Sequence, residues 1–512
     1  MKIQRTKNAA RNIVYDGFLR VYNMLVPFVM RSIILHYLGV EYLGLSGLFS
    51  SILSFLNLAE LGVGTAMVFS MYKPIAEDDT DSICALMGLY RKFYRIIGLF
   101  IAVAGLALTP FLRNLVHGDV PPDVNLYILY FMNLASTVLT YWLFAYKNCL
   151  LHAHQRTDIG SKLALVINTV QNLLKILVLV VFHNYYLYLL VQLLSQVATN
   201  IFTAVIVTKK YPDYKPRGSL PKEKIRDITH RVRDLFTAKF AYFIFHSADT
   251  LVVSSFLGLA TLALYQNYNY IITALQNILV VITSSVVAGV GNSLVTETKE
   301  KNFMDLKKFS FMFNWVAGLC SSMLLCMYQP FMLIWMGEES MLPTGQMICF
   351  VVFFYLNLIN KPLFVFKDGA GMWHKDRFRP LVASLLNLAL NLATVKWLGL
   401  YGVVLSSVVA ILLVEIPWLL YNLFHEVFSI DLLWNYLRNV LLYLGVTLIA
   451  CTSAWFICCQ FSFAPWPQLI VCSAVSFIVP NLLFLLIFGR TNVFRQSVAQ
   501  FKKILPHKTS NR

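Results

Sequence analysis

Apolar runs long enough to cross a lipid bilayer recur along almost the whole chain, and that recurrence excludes most folds. A spanning helix needs about 20 mostly apolar residues. By that rule spans fall near residues 12–37, 43–70, 96–112, 124–146, 159–182, 184–208, 235–257, 262–295, 309–336, 345–366, 380–398, 400–424, 439–460 and 464–489. Fourteen spans leave little chain for soluble domains. Hydrophobic residues make up 58% of the sequence and charged residues 13%, against roughly 25% charged in soluble proteins. The runs are long and lack the strict alternation of barrel strands, so the expected class is all-α, polytopic in the membrane. The run at 262–295 is longer than a bilayer needs and is expected to continue into the cytoplasm.

Loop charges test the count. With the N-terminus inside, thirty-six of the 42 Lys and Arg fall in cytoplasmic segments and two, Arg113 and Lys396, fall outside. One missed span would reverse every later loop, so this asymmetry supports the span order and places both termini in the cytoplasm. It also accounts for the net charge of +17 without a nucleic-acid partner. The nine cysteines form no CxxC pair and no metal spacing, so neither disulfides nor a metal is expected. No outside loop exceeds about 15 residues on this map, which leaves no room for an extracytoplasmic catalytic domain.

The longest inside segment, 209–234, carries Pro212, Pro216, Gly218 and Pro221 amid dense positive charge and reads as a linker. Its flanks look alike. Leu38-Gly39 closes the first span and Leu257-Gly258 the seventh, an offset of 219. Gly62-Val63-Gly64 answers Gly289-Val290-Gly291 with eight residues inserted. Two such copies, each starting inside, are related by an axis along the membrane normal. The expected organisation is a six-helix lobe over 1–208, the linker at 209–234, a second six-helix lobe over 235–424, and two further helices with a basic cytoplasmic tail over 425–512.

The stretch Arg31…His36-Tyr37-Leu38-Gly39-Val40-Glu41-Tyr42-Leu43-Gly44-Leu45, then Leu61-Gly62-Val63-Gly64-Thr65-Ala66 and Tyr72-Lys73-Pro74, together with the fourteen-span layout, carries a resemblance. The chain resembles the polysaccharide exporters and lipid-linked oligosaccharide flippases of the multidrug/oligosaccharidyl-lipid/polysaccharide superfamily. That resemblance implies a multi-pass protein of the bacterial inner membrane. It implies alternating-access transfer of an undecaprenyl-pyrophosphate-linked glycan to the outer leaflet, with glycosyltransferases and a glycan polymerase of the same pathway as partners. It implies no cofactor beyond a coupling proton or sodium ion. Drug-exporting relatives usually have twelve spans.

Polar residues inside spans are expensive and mark candidate sites. In the first span Asp16, Arg20, Asn23, Pro27 and Arg31 step by 4, 3, 4 and 4 and share one face. Asp16 and Arg20 can pair at i,i+4, and the two arginines offer forked donors for phosphate oxygens. In the fifth span Asn168, Gln171, Asn172 and Lys175 share a face. Lys175 suits a phosphate and the amides suit sugar hydroxyls, or ordinary interhelical hydrogen bonds. Gln192, Gln196 and Asn200 in the sixth span read as packing residues. His246 and Asp249 in the seventh can form a proton-linked pair. By the repeat, Asp249 also lies at the depth of Arg31, where the two can pair. Tyr265 and Tyr268 in the eighth suit sugar rings or an interfacial belt. Glu60 with Asn57, Lys361 with Asn360, and Glu415 before Pro417 are secondary candidates, and Lys361 also suits the inner headgroups.

Catalytic signals are thin. Asp79-Thr80-Asp81 matches a short metal-binding pattern of sugar transferases, and there is no GxxxxGK[ST] loop. The expectation is a transporter, not an enzyme. Pyrophosphate is assigned to Arg20, Arg31 and Lys175, the glycan to Asn168, Gln171, Asn172, Tyr265 and Tyr268, and gating or coupling to Asp16, Glu60, His246 and Asp249. The alternatives are an organic-cation exporter of the same superfamily and a membrane glycan polymerase or ligase.

Overall fold

The computed structural model describes residues 5–60, 63–116 and 120–497. These residues form helices and connecting turns, with no strand among them. The chain divides into two compact units, Met1–Ala263 and Leu264–Arg512. The end of the basic tail, 498–512, lies outside the described residues.

The first unit is built from α1 (Arg5–Tyr37), α2 (Val40–Leu56), α3 (Val63–Ala76), α4 (Thr80–Leu108), α5 (Leu126–Trp142), α6 (Asn148–Ala153), α7 (Thr157–Phe182) and α8 (Tyr185–Lys210), followed by the start of α9 (Lys222–Thr296). Local chemistry sets the boundaries. Asp79 accepts from the Ser82 backbone N–H at 3.0 Å and caps α4, a structural use of the acidic Asp79-Thr80-Asp81 run. The Ser82 hydroxyl, together with that N–H, holds the exposed Asp79 carboxyl below its usual range. Asn125 caps α5 through the Tyr127 and Ile128 N–H groups, and Asn184 caps α8 through Leu187. His183, at φ 47°, ends α7 in the left-handed region, so α7 and α8 turn back on each other within two residues.

Two spans of this unit are interrupted. α2 stops at Leu56, a 3-10 turn runs Asn57–Glu60, and α3 begins at Val63. α5 stops at Trp142, Phe144 adopts φ 59°, and the segment Ala145–Ala153, which contains α6, departs at 47°. An interruption at membrane depth frees backbone groups that lipid cannot satisfy, so it is tolerated beside protein or a hydrated cavity. Helix packing in the unit runs α1 on α7, α7 on α8, and α5 on both α4 and α8. In the stretch expected to be a linker, residues 211–221 are non-helical and α9 begins at Lys222. α9 changes direction at Gly258, whose backbone (φ 89°, ψ 172°) is not helical.

The second unit continues with α10 (Lys299–Met336), α11 (Thr344–Ile359), α12 (Lys361–Gly369), α13 (Trp373–Asp376), α14 (Arg379–Leu398), α15 (Leu400–Ala410), a π-helical turn (Ile411–Glu415), α16 (Ile416–Glu426), α17 (Asp431–Cys459) and α18 (Pro465–Phe488). α17 and α18 pack on α10 and on each other. Their joint core is aromatic: Phe311 meets Tyr443, Phe484 and Phe488 edge-on or tilted, and Trp315 stacks on Phe484 at 6.2 Å.

Among the described residues eleven helices are long and apolar enough to cross a membrane, or twelve with the bent α5–α6 pair. Fourteen is reached only if α2 and α3 together cross as one broken span and α9 crosses twice, divided at Gly258. The lipid-facing surface is plain in α1, where Val14, Phe18, Val21, Leu25 and Val29 are all at least half exposed on one face.

Candidate functional site

On the opposite face of α1 Arg20 and Asn23 are also exposed. A helix open on both its apolar and its polar face has lipid on one side and needs water on the other. The polar face is also where α1 meets α7. Asp16 accepts from Thr157 Oγ1 at 2.8 Å and from Ser161 Oγ at 2.5 Å. Among the described residues its partners are these two hydroxyls, one turn apart on α7, and no ion pair joins it to Arg20. Three turns further along α7, Asn172 Nδ2 donates to Tyr22 of α1 at 3.1 Å.

Lys175 is buried, 5% exposed. Its ammonium donates to Gln192 Oε1 of α8 at 2.8 Å and sits 4.2 Å from the centroid of the Tyr188 ring. Among the described residues no carboxylate pairs with it. The Arg31 guanidinium lies within electrostatic range of the same Tyr188. So α1 and α7 bring two cations to one tyrosine of α8. Arg20 stands eleven residues before Arg31, about 16 Å along the helix, and is not part of this cluster.

A second feature of the unit is a cavity of about 880 Å³, lined among others by Glu60, Thr65, Tyr141, His152, Gln196 and Asn200. Glu60 is held in a cage of tyrosines. Tyr94 donates to Oε1 at 2.5 Å, Tyr141 donates to Oε2 at 2.8 Å, and Tyr90 donates to Tyr94 at 2.6 Å. The three tyrosines are each under 8% exposed. Such a cage holds a carboxylate at membrane depth without a cation. The lining combines amides, hydroxyls and aromatic rings, the chemistry that binds sugars. Tyr90, Tyr94 and Tyr141 went unread in the sequence. Tyr90 and Tyr94 are spaced i,i+4 on α4, but nothing local joins them to Glu60, 34 residues from Tyr94 and 81 from Tyr141. Gln196 and Asn200, read as packing residues, line the cavity; Asn200 also donates to the Thr140 carbonyl at 3.1 Å.

The remaining candidates fall elsewhere. Asn168 and Gln171 are half-buried on α7. Tyr268 is fully buried: its hydroxyl donates to Gln329 Oε1 at 2.8 Å and accepts from the Leu342 N–H, and its ring packs on Tyr328 and Phe350. It presents no free ring face to a sugar. Tyr265 packs on Phe350 and is 7% exposed. Asp249 is buried at 8% exposure. The side chain of His246 lies outside the described residues.

In the second unit Glu415 ends the π-helical turn and meets Arg379 at 2.9 Å. Arg379 also forks onto Asp376 at 2.7 and 3.0 Å, and Lys367 stands 3.3 Å from Asp376. Lys361 lies in electrostatic range of Glu415. Asn360 is 1% exposed, and among the described residues neither atom of its side-chain amide has a hydrogen-bond partner.

Residues 9–288 match the family described as polysaccharide biosynthesis protein. No curated protein is significantly similar in sequence. Among solved structures, the lipid II flippase MurJ in an inward closed conformation superposes with a TM-score of 0.70 over 93% of this chain and 99% of that one, at 13% identity. An inward-facing multidrug resistance MATE family transporter of the MOP superfamily superposes at 0.58 over 79% and 93%, at 16% identity. A MOP superfamily transporter from Pyrococcus furiosus superposes at 0.50 over 83% and 96%, at 16% identity. At these identities the likeness is one of fold.

Proposed function

The chain belongs to the polysaccharide biosynthesis protein family, and from that premise we propose that it is a flippase. It carries a lipid-linked oligosaccharide, joined through pyrophosphate to an undecaprenyl chain, across the bacterial inner membrane by alternating access. The observation that carries this reading is the buried Lys175 over the Tyr188 ring, with Arg31 in electrostatic range of the same tyrosine, in the unit that holds the polar cavity around Glu60. Two cations at membrane depth suit the phosphates, which need charge-assisted donors. The amides, hydroxyls and rings of the cavity suit the glycan, and the lipid tail stays in the bilayer. Glu60 and Asp16 are the groups we assign to ion coupling, since each is a hydrogen-bonded carboxylate in the first unit. Asp249 opposite Arg31 remains our proposed gating partner.

Deleting the gene in its host tests the reading. Surface glycan is expected to fall while its lipid-linked precursor accumulates on the cytoplasmic leaflet. A second reading, export of organic cations, takes support from the carboxylate inside the cavity. Sensitivity to cationic dyes with unchanged surface glycan decides for that reading and against ours.

A further inference from the structure

Asn57 and Tyr141 sit at the two helix interruptions of the first unit. Asn57 follows the last residue of α2 and opens the 3-10 turn that ends at Glu60. Tyr141 lies one residue before the end of α5, ahead of the 47° bend. The Tyr141 hydroxyl is 2.8 Å from Glu60 Oε2 and 3.1 Å from Asn57 Oδ1. A hydroxyl carries one hydrogen, so it serves one of these acceptors at a time.

The charge state of Glu60 decides which. When Glu60 is ionised, both its oxygens need donors: Tyr94 serves Oε1, Tyr141 serves Oε2, and Asn57 Oδ1 goes without. When a proton from water joins Oε2, that O–H donates to the Tyr141 oxygen, and the Tyr141 hydrogen is released to Asn57. Every hydrogen then has an acceptor. A proton on Oε1 fares worse, because the Tyr94 hydrogen it displaces finds only Tyr90, which is already donating to Tyr94.

We propose that Tyr141 passes its hydrogen from Glu60 to Asn57 when Glu60 takes up a proton, so that the charge of one carboxylate is converted into a tie between the end of α2 and α5. The proposal rests on the reading of Glu60 as a coupling group. It places the conversion at the two points where the helices of this unit are already broken, and where a change of one hydrogen bond can alter a bend without breaking a regular helix. Among the described residues the other titratable groups around Glu60 are Tyr72 of α3, Tyr90 and Tyr94 of α4 and, from α6, Cys149 beside Tyr90 and His152 on the cavity wall, the last within range of Asp16. Arg91 and Arg95 of α4 act on Tyr146. Among the described residues no cation pairs with Glu60.

The test is an infrared titration of the purified full-length protein in lipid nanodiscs, with the Glu60 carboxyl band identified by its loss in Glu60→Gln. Tyr141→Phe removes a donor that the ionised form uses. Proton affinity of Glu60 is expected to rise roughly tenfold to a hundredfold, one to two pH units. Asn57→Leu removes the acceptor that the protonated form uses, and proton affinity is expected to fall roughly threefold to tenfold. Asn57→Ala serves if the leucine variant does not fold. Shifts of opposite sign support the exchange; shifts of one sign, or none for Asn57, overturn it. Proton flux in liposomes tests the underlying reading separately. Opposite shifts with flux unchanged in Glu60→Gln leave the exchange standing and remove Glu60 from coupling.

Discussion

Gly39 and Gly258 stand 219 positions apart and hold nearly the same backbone conformation, φ 115° and ψ 174° in one, φ 89° and ψ 172° in the other. This combination is open almost only to glycine. Each follows a leucine at the end of a long helix and turns the chain into the next one. The internal repeat read from Leu38-Gly39 and Leu257-Gly258 therefore has a counterpart in geometry, at the positions where the side chain matters least and the backbone most.

Replacing either glycine by alanine is expected to cost about 1–3 kcal/mol. Gly17 is the control: it is helical, with nothing within 4 Å of the place a Cβ would take. Gly17→Ala should hold or slightly raise stability, by up to about 1 kcal/mol. Thermal unfolding of the three variants in one detergent checks the order. Equal midpoints for Gly39→Ala and Gly17→Ala would contradict the conformational argument.

A second glycine is needed for space. A Cβ on Gly44 would stand 2.2 Å from the Leu259 carbonyl oxygen, far inside contact distance. Both residues belong to the first unit. The obstacle is backbone, which cannot swing aside as a side chain can. Gly44→Ala is expected to lose more stability than Gly39→Ala, and Gly44→Val to reduce the amount of folded protein extracted from membranes. Normal yield and melting of Gly44→Val would show that the two segments separate freely.

Arg379 holds the buried charges of the second unit together. It is 4% exposed and donates to both Asp376 and Glu415. Arg379→Ala leaves both carboxylates without their shared cation, at an expected cost of about 3–5 kcal/mol. Arg379→Lys keeps the charge but loses the fork onto Asp376, so it should recover only part of the loss. Glu415→Gln should cost less than Arg379→Ala, because Arg379 keeps Asp376. If the lysine variant melts like the wild type, the planar fork is unimportant.

Some span edges were legible because length and apolarity fix them locally: 159–182 and 464–489 match α7 and α18, whereas α4 begins at Thr80, well before residue 96, because its charged first turns continue the helix beyond the apolar run. The paired Leu-Gly steps sit where the sequence puts them. The interruptions in α2–α3 and α5–α6 were not legible: Asn57, Glu60 and Gly62 mark the first break, but the run 43–70 is apolar on both sides of them and reads as one span. Lys175 and Arg31 were legible as single charges in apolar runs, but their convergence on Tyr188 depends on how three helices pack. The cage around Glu60 was hidden for the same reason. Tyrosine at membrane depth is common, and only the fold distinguishes Tyr141 beside a carboxylate from Tyr268, sealed in a core.

The cation pair yields the most direct functional prediction. Lys175 is buried with an amide and a ring for company, and Arg31 of α1 lies in electrostatic range of the same tyrosine. An incoming phosphate gains charge-assisted hydrogen bonds from both, each worth about 1.5–3 kcal/mol. Arg31→Gln and Lys175→Gln should therefore each lower glycan export by roughly ten- to a hundredfold, with protein in the membrane unchanged. Arg20 is exposed on another turn of α1, about 16 Å away. Arg20→Gln should cost less than either. Tyr188 separates the role of its ring from that of its hydroxyl: Tyr188→Phe keeps the face under Lys175 and should export nearly as well, whereas Tyr188→Leu removes it and should not. The measurement is surface glycan normalised to protein level in a deletion strain carrying each variant. If Arg20→Gln is as damaging as Arg31→Gln, the phosphate runs along the whole polar face of α1 instead of resting at Tyr188. If Lys175→Gln exports normally, its bond to Gln192 is a packing contact and the phosphate site loses one of its two cations.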